Sequence, residues 1–171
     1  MQAARISARP AISHWRWSFW SFVLGACLLV MPFRAVRVVG SSMDPTLHDG
    51  QRVLVDRWYY RLTGLFRYDL VVVRHEGENW VKRLVGLPGD RLALVYGPEG
   101  TINGVLNLNS GLGPPPGARI ITVPPEHLYV LGDNLAVSQD SRITGPLPLT
   151  ELIGVVRTPT MGRVFPLPRG G

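Results

Sequence analysis

Trp80-Val81-Lys82-Arg83-Leu84-Val85-Gly86-Leu87-Pro88-Gly89-Asp90-Arg91-Leu92-Ala93-Leu94-Val95-Tyr96 contains two runs rich in apolar and β-branched residues around a five-residue break. Pro88 presets its own φ and Gly89 tolerates positive φ, so the break predicts a tight turn between two strands. Further runs extend the pattern on both sides, at 36–39, 52–56, 69–74, 118–123, 128–131 and 152–157. The 69–74 run, Asp-Leu-Val-Val-Val-Arg, is nearly continuous and reads as a strand covered on both faces. Residues 58–62 suit one or two turns of helix, and the Gly/Pro-rich stretch 111–117 suits a surface loop. Short strands separated by Gly/Pro turns predict an all-β domain, an antiparallel β-sandwich or partly open barrel.

Composition narrows the class. The chain has 171 residues, enough for one domain plus an appendage, and 46% are hydrophobic, enough for a real core. The net charge of +6 does not point to nucleic acid, because the arginines are scattered and form no basic stripe with interleaved aromatics. A basic surface near anionic lipid headgroups fits better. Cys27 is the single cysteine, which excludes an intrachain disulfide and paired-thiolate zinc sites. His14, His48, His75 and His127 lack metal-ligand spacing, so neither metal nor cofactor is expected.

Residues 17–33 carry no charge. As a helix they would span about 25 Å, slightly short of a ~30 Å hydrocarbon core. Arg16 and Arg34 can snorkel, and Trp15, Trp17 and Trp20 suit the interface. We expect a basic tail at 1–14, a membrane anchor at 15–35 and a β-rich domain at 36–171. Arg5, Arg9 and Arg16 outweigh Arg34 and Arg37 and favour a cytoplasmic N-terminus, with the domain outside. A cleaved signal peptide fits less well, since no small-x-small site follows the stretch. Leu24-Gly25-Ala26-Cys27 resembles a lipoprotein processing box, but cleavage there would leave an apolar start.

Ser42 and Lys82 carry the candidate chemistry. A serine hydroxyl is a weak nucleophile until a base takes its proton. His48 is close in sequence, but no carboxylate obviously orients it. A neutral lysine can serve instead. Lowering its pKa from ~10.4 by about 3–5 units costs about 4–7 kcal/mol, which a packed β scaffold can sustain. Taken alone, one lysine in a strand reads as an exposed residue of the ladder, because lysine is almost never fully buried.

Three ordered boxes change that reading. Ser42-Met43-Asp44-Pro45-Thr46-Leu47, Lys82-Arg83 with Gly86-Leu87-Pro88-Gly89-Asp90, and Gly132-Asp133-Asn134 with Ser138-Gln139-Asp140-Ser141-Arg142 together resemble the type I signal peptidases, from about Val36 to Pro159. The resemblance implies a membrane-bound Ser/Lys endopeptidase that cleaves signal peptides from preproteins after Ala-x-Ala sites. It makes Ser42 the nucleophile, Lys82 the general base and Ser138 the residue orienting the lysine. Asp140–Arg142 and Asp133 with Arg83 become structural support. The Ser42 backbone N–H becomes an oxyanion donor, while Gly40 stands where some members carry a second, hydroxyl donor. Val36, Val38, Met43, Leu47, Trp80 and Val81 become candidates for shallow substrate pockets, although Val36 and Val38 equally suit plain core. Preproteins and the lipid bilayer are the expected partners, with no obligate protein partner.

The chain departs from the family pattern in places. Leu135-Ala136-Val137 stand where polar residues are usual, Arg67-Tyr68-Asp69 replaces an Arg-Gly-Asp turn, and Gln51 replaces a common Asp. A peptidase with a narrower substrate is the alternative, of the conjugation, pilin or organelle inner-membrane kind. A self-cleaving repressor would need a helix-turn-helix where this chain has its apolar stretch. A non-enzymatic β-domain would be indifferent to loss of Ser42.

Overall fold

The computed structural model describes residues 19–23 and 33–157. The chain divides into two units, Met1–Met31 and Pro32–Gly171. Within the first, residues 19–23 form one turn of helix with Phe19 and Trp20 in edge-on ring contact. Among the described residues no helix is long and apolar enough to cross a membrane. The expected tail at 1–14, most of the anchor at 15–35 and Cys27 lie outside the described residues.

The second unit is mostly β. Its strands are β1 (Phe33–Arg37), β2 (Arg52–Asp56), β3 (Leu70–His75), β4 (Glu78–Gly86), β5 (Arg91–Tyr96), β6 (Ile102–Asn107), β7 (Arg119–Thr122), β8 (His127–Leu131), β9 (Leu147–Pro148) and β10 (Leu152–Arg157). Short helical turns lie at Tyr59–Thr63 and Ser141–Thr144. Seven strands form one antiparallel sheet in the order β1-β2-β10-β3-β4-β8-β9, and three form a second, β6-β5-β7. Among the described residues the large sheet keeps two free edges and does not close into a barrel.

Side-chain alternation builds the core on both faces of the large sheet. Leu70 and Val72 of β3 join Val38, Met43, Leu47, Val53, Val55 and Val156 on one face. Val71 and Val73 join Leu84, Leu128, Val130, Leu147, Leu152 and Val155 on the other. That two-sided burial explains why 69–74 reads as an unbroken apolar run. A third cluster, with Val85, Leu92, Leu94, Val105, Val123, Tyr129 and Leu131, joins the small sheet to the β4–β8 end of the large one.

The 52–56, 91–96 and 152–157 strands match their expected limits. β1 begins at Phe33, three residues before the expected start of that strand. β6 was not expected, because Asn103, Gly104 and Asn107 are poor strand formers, and it forms by pairing with β5. Gly89 takes φ +83° in the β4–β5 turn, closed by Asp90 N–H to Leu87 O at 3.0 Å. The buried Asp90 carboxylate accepts from Arg67 Nε (2.8 Å), Leu87 N (2.9 Å), Asn107 Nδ2 (2.8 Å) and Asn109 Nδ2 (2.8 Å). Burial acts to raise the Asp90 carboxyl, but these donors outweigh it and hold it below the usual carboxylate range.

Candidate active site

Ser42 sits in the loop between β1 and β2. Val38 N donates to Gln51 O (2.8 Å) and Gly50 N to Val38 O (2.9 Å), closing the loop at its base. Met43 and Leu47 plunge into the core at 1% and 0% exposure, pinning the loop on either side of its turn. Met43 O accepts from Thr46 N (2.8 Å) and Leu47 N (3.0 Å). Burying two such side chains contributes about 1.5–3 kcal/mol each, which fixes the loop more firmly than its exposed edge suggests.

Lys82 lies on β4, opposite Val71 of β3, and is only 4% exposed. The exposed-ladder reading of this lysine therefore fails. Its Nζ donates to Ser138 Oγ at 2.9 Å and lies 5.6 Å from the centre of the Trp80 ring. Burial pushes the amine below the usual lysine range, Asp140 pulls it back up, and Arg142 opposes Asp140.

Three strands separate β1 from β4 in the sheet, yet both line one groove of about 270 Å³. The sheet must coil to bring them together. Val36, Val38, Ser42, Met43, Asn79, Trp80, Val81 and Lys82 all contribute to the wall, so the candidate nucleophile and base share one groove. Five of the six candidate pocket residues line it; Leu47 does not and belongs to the core. Val36, Val38, Met43 and Val81 serve groove and core at once. Both strand edges here are open among the described residues: β1 pairs only with β2, and β8 joins β4 only from Arg83 onward.

The Gly132–Arg142 segment supports the groove from beneath. Asp140 is 0% exposed and accepts from Arg142 Nε (2.8 Å), Arg142 N (3.1 Å) and Gly132 N (3.0 Å). Burial acts to raise the Asp140 carboxyl, but Arg142, the Gly132 N–H and the Ser138 hydroxyl together hold it below the usual range. Arg142 also donates to Leu135 O (2.8 Å), Ser138 O (3.2 Å) and Ile102 O (3.1 Å), tying the segment to β6. The apolar Leu135-Ala136-Val137 stretch leaves Ser138 well held, since Ser138 N donates to Asn134 O at 3.1 Å. On the other face of β4, Arg83 Nε donates to Asp133 Oδ1 (2.7 Å), Nη1 to Tyr68 O (3.0 Å) and Nη2 to Thr46 Oγ1 (3.3 Å). Asp140 and Arg142 thus form an ion pair, and Asp133 and Arg83, expected only as nearby support, form a second.

Several features escaped the sequence reading. Asn134 N donates to Ser42 O (3.0 Å) and Asn134 Nδ2 to Ser41 O (3.2 Å), docking the third box on the first. Gly132 allows this approach: a Cβ there would lie 2.5 Å from Ser138 Cβ and 2.6 Å from Ser42 O. His48 does have a carboxylate partner, Asp44 Oδ1 at 2.7 Å from Nδ1, one helical turn away in sequence. Its side chain is 70% exposed, however, and it does not line the groove with Ser42. Gly40 takes φ +87° and donates its N–H to Asp49 Oδ1 (2.8 Å), with nothing within 4 Å of a would-be Cβ. Backbone conformation rather than crowding therefore favours glycine there. Among the described residues no cluster of His, Cys, Asp or Glu could hold a metal ion.

Comparison with known proteins converges on one family. Residues 12–161 match the family described as signal peptidase, peptidase S26. Signal peptidase I of Bacillus caldolyticus is 31% identical over 164 residues, covering 83% of this chain and 86% of that protein. Signal peptidase I of Bacillus amyloliquefaciens is 32% identical over 151 residues, covering 81% of each. Signal peptidase IB of Staphylococcus aureus is 30% identical over 157 residues, covering 79% of each. A crystal structure of a signal peptidase I from Enterococcus faecalis V583 is 25% identical, with a TM-score of 0.40, over 54% of this chain and 97% of that one.

Proposed function

The chain belongs to the signal peptidase family, peptidase S26, and is a serine endopeptidase; on that premise we propose that it removes signal peptides after Ala-x-Ala sites with a Ser42–Lys82 dyad. The observation that carries the dyad is the buried Lys82 amine, held by Ser138 in the groove that Ser42 also lines.

An extended preprotein segment adds between the open edges of β1 and β4, its main chain pairing with both strands and alternate side chains entering the groove. Val36, Val38, Trp80 and Val81 leave room for small side chains, which is the basis proposed for Ala-x-Ala selection. Neutral Lys82 takes the proton from Ser42 Oγ as that oxygen bonds to the scissile carbonyl carbon. The oxyanion accepts from the Ser42 N–H. The C–N bond breaks as the Lys82 ammonium returns its proton to the leaving amine. Lys82 then deprotonates a water that hydrolyses the acyl ester and restores Ser42. Ser138 fixes the rotamer of the amine throughout.

Residues 15–35 are proposed to anchor the enzyme in the cytoplasmic membrane with the catalytic unit outside; extraction by alkaline carbonate would count against that anchor. The chemistry is tested by cleavage of one Ala-x-Ala preprotein in detergent. Wild type cleaves it, while Ser42→Ala and Lys82→Ala fold but do not. Retained cleavage by either variant overturns the dyad. Failure of wild type on this substrate, with cleavage of a dedicated one, would favour the narrower peptidase.

A further inference from the structure

We propose that Asn134 is a positioning residue for the oxyanion donor: it fixes and polarises the Ser41–Ser42 peptide unit whose N–H faces the developing negative charge. The inference rests on the Ser42 acyl-transfer reading above. Glycine at position 40 removes the hydroxyl that some family members carry there as a second donor, so the quality of the Ser42 N–H matters more.

The Ser41 carbonyl and the Ser42 N–H belong to one peptide plane. Asn134 Nδ2 donates to the carbonyl end of that plane at 3.2 Å. The next plane is held as well, because Asn134 N donates to Ser42 O at 3.0 Å. One residue therefore grips the main chain on both sides of the nucleophile. The amide must present its NH₂ group here, since a carbonyl oxygen can only accept. A hydrogen bond to the carbonyl end of a peptide strengthens its N–H as a donor, by ~10–30% per bond in a chain. It also prevents the plane from rotating the N–H away from the reacting carbon.

Asn134 is itself well anchored. Its carbonyl accepts from Val137 N (3.3 Å) and Ser138 N (3.1 Å), the residue that holds Lys82. Asp133 beside it is clamped by Arg83. The donor plane and the base are thus set from a single short segment.

The test uses the full chain in detergent with three variants, a preprotein substrate and an Ala-x-Ala peptide aldehyde. Ser42 adds to that aldehyde reversibly: the Oγ–C bond forms, the C=O π bond breaks, Lys82 takes the hydroxyl proton, and the former carbonyl oxygen becomes a tetrahedral oxygen in the oxyanion position. Asn134→Ala keeps the backbone bond to Ser42 O and should lower kcat about 10-fold with KM little changed, a fraction of the effect of deleting a donor outright. Its aldehyde Ki should rise by the same factor. Asn134→Asp is isosteric but faces a carboxylate oxygen to the Ser41 carbonyl, so it should be slower than Asn134→Ala. Asn134→Ser, with a short donor, should fall between Asn134→Ala and wild type. Melting midpoints of all three identify any variant that has merely lost its fold, and the ranking is read from the folded ones.

Wild-type kcat in Asn134→Ala, Asn134→Asp faster than Asn134→Ala, or an aldehyde Ki that does not follow kcat would each overturn the inference. Full cleavage by Ser42→Ala would instead overturn the acyl-transfer reading beneath it.

Discussion

Gly132 is a position where one methyl group should damage the site directly. A Cβ built on it lies 2.6 Å from Ser42 O and 2.5 Å from Ser138 Cβ, with Ser138 Oγ closer still, whereas ordinary Cβ contacts begin at 3.4 Å. In Gly132→Ala the Ser42 loop and Ser138 must each retreat by roughly an ångström, and a misplacement of that size near the proposed reacting pair costs about 100-fold in rate. The backbone of Gly132 cannot yield instead, because its N–H is fixed to the buried Asp140 at 3.0 Å. The loss should appear mainly in kcat, since the β1 and β4 walls of the groove are untouched. Overpacking should also cost about 1–3 kcal/mol of stability. Steady-state cleavage of a preprotein, with a melt of the same sample, separates the two effects. A folded Gly132→Ala with wild-type kcat would show that the Ser42–Ser138 juxtaposition is not part of the machinery.

Four further predictions follow from the charges and the backbone. Because burial lowers the Lys82 pKa, kcat/KM should fall as pH drops through that lowered value, when the amine becomes charged. The same depression penalises the folded state at every pH below the folded pKa, and the penalty fades as pH rises toward the unfolded ~10.4. Chemical denaturation should therefore find the stability difference between Lys82→Met and wild type moving in favour of wild type as pH rises through that window, and a pH-independent difference would count against a depressed amine. Arg142→Gln removes the group that opposes Asp140, so the acid limb of the kcat/KM profile should move to higher pH, with about 3–5 kcal/mol of stability lost from the broken buried pair. Tyr68 sits at φ +73°, where an L-residue pays about 1–2 kcal/mol; after the added unfolded-state entropy of glycine, Tyr68→Gly should gain about 0.5–1 kcal/mol in a thermal melt.

Strands that carry their own pattern were legible in the sequence. The 91–96 and 152–157 runs are dense in β-branched and aliphatic residues and match their observed limits. β6 was not legible, because Ile102-Asn103-Gly104-Val105-Leu106-Asn107 owes its conformation to pairing with β5 and to Asn107 serving the Asp90 network. Spacing could place Ser42, Lys82 and Ser138 in order, but not the exposure of Lys82, which depends on Val71 across the ladder and Ser138 fifty-six residues away. The Tyr68 turn was readable as a departure from Arg-Gly-Asp; its positive φ shows that the turn keeps the glycine conformation although the glycine is gone. Asn134 gave no signal of its own, since its role lies in two main-chain carbonyls on a loop more than ninety residues away.

Strand β4 divides the work between its two faces. Alternation sends Lys82 to one side, toward Ser138, and Arg83 to the other, toward Asp133 and Thr46. Lys82 is the proposed base. Through Thr46, Arg83 reaches the loop that carries Ser42, and Asp133 adjoins the residue that grips Ser41 and Ser42. A one-residue slip of β4 against β3 would exchange these faces, moving the lysine out of its site and bringing the guanidinium in. The six-residue β3–β4 register runs from Leu70↔Arg83 to His75↔Glu78, and the polar partners on opposite faces, Ser138 for Lys82 and Asp133 for Arg83, hold it against that slip. On the proposed dyad, the adjacency of lysine and arginine has a geometric use: consecutive residues on one strand are the shortest way to place the proposed base on one face and the clamp for the Ser42 loop on the other.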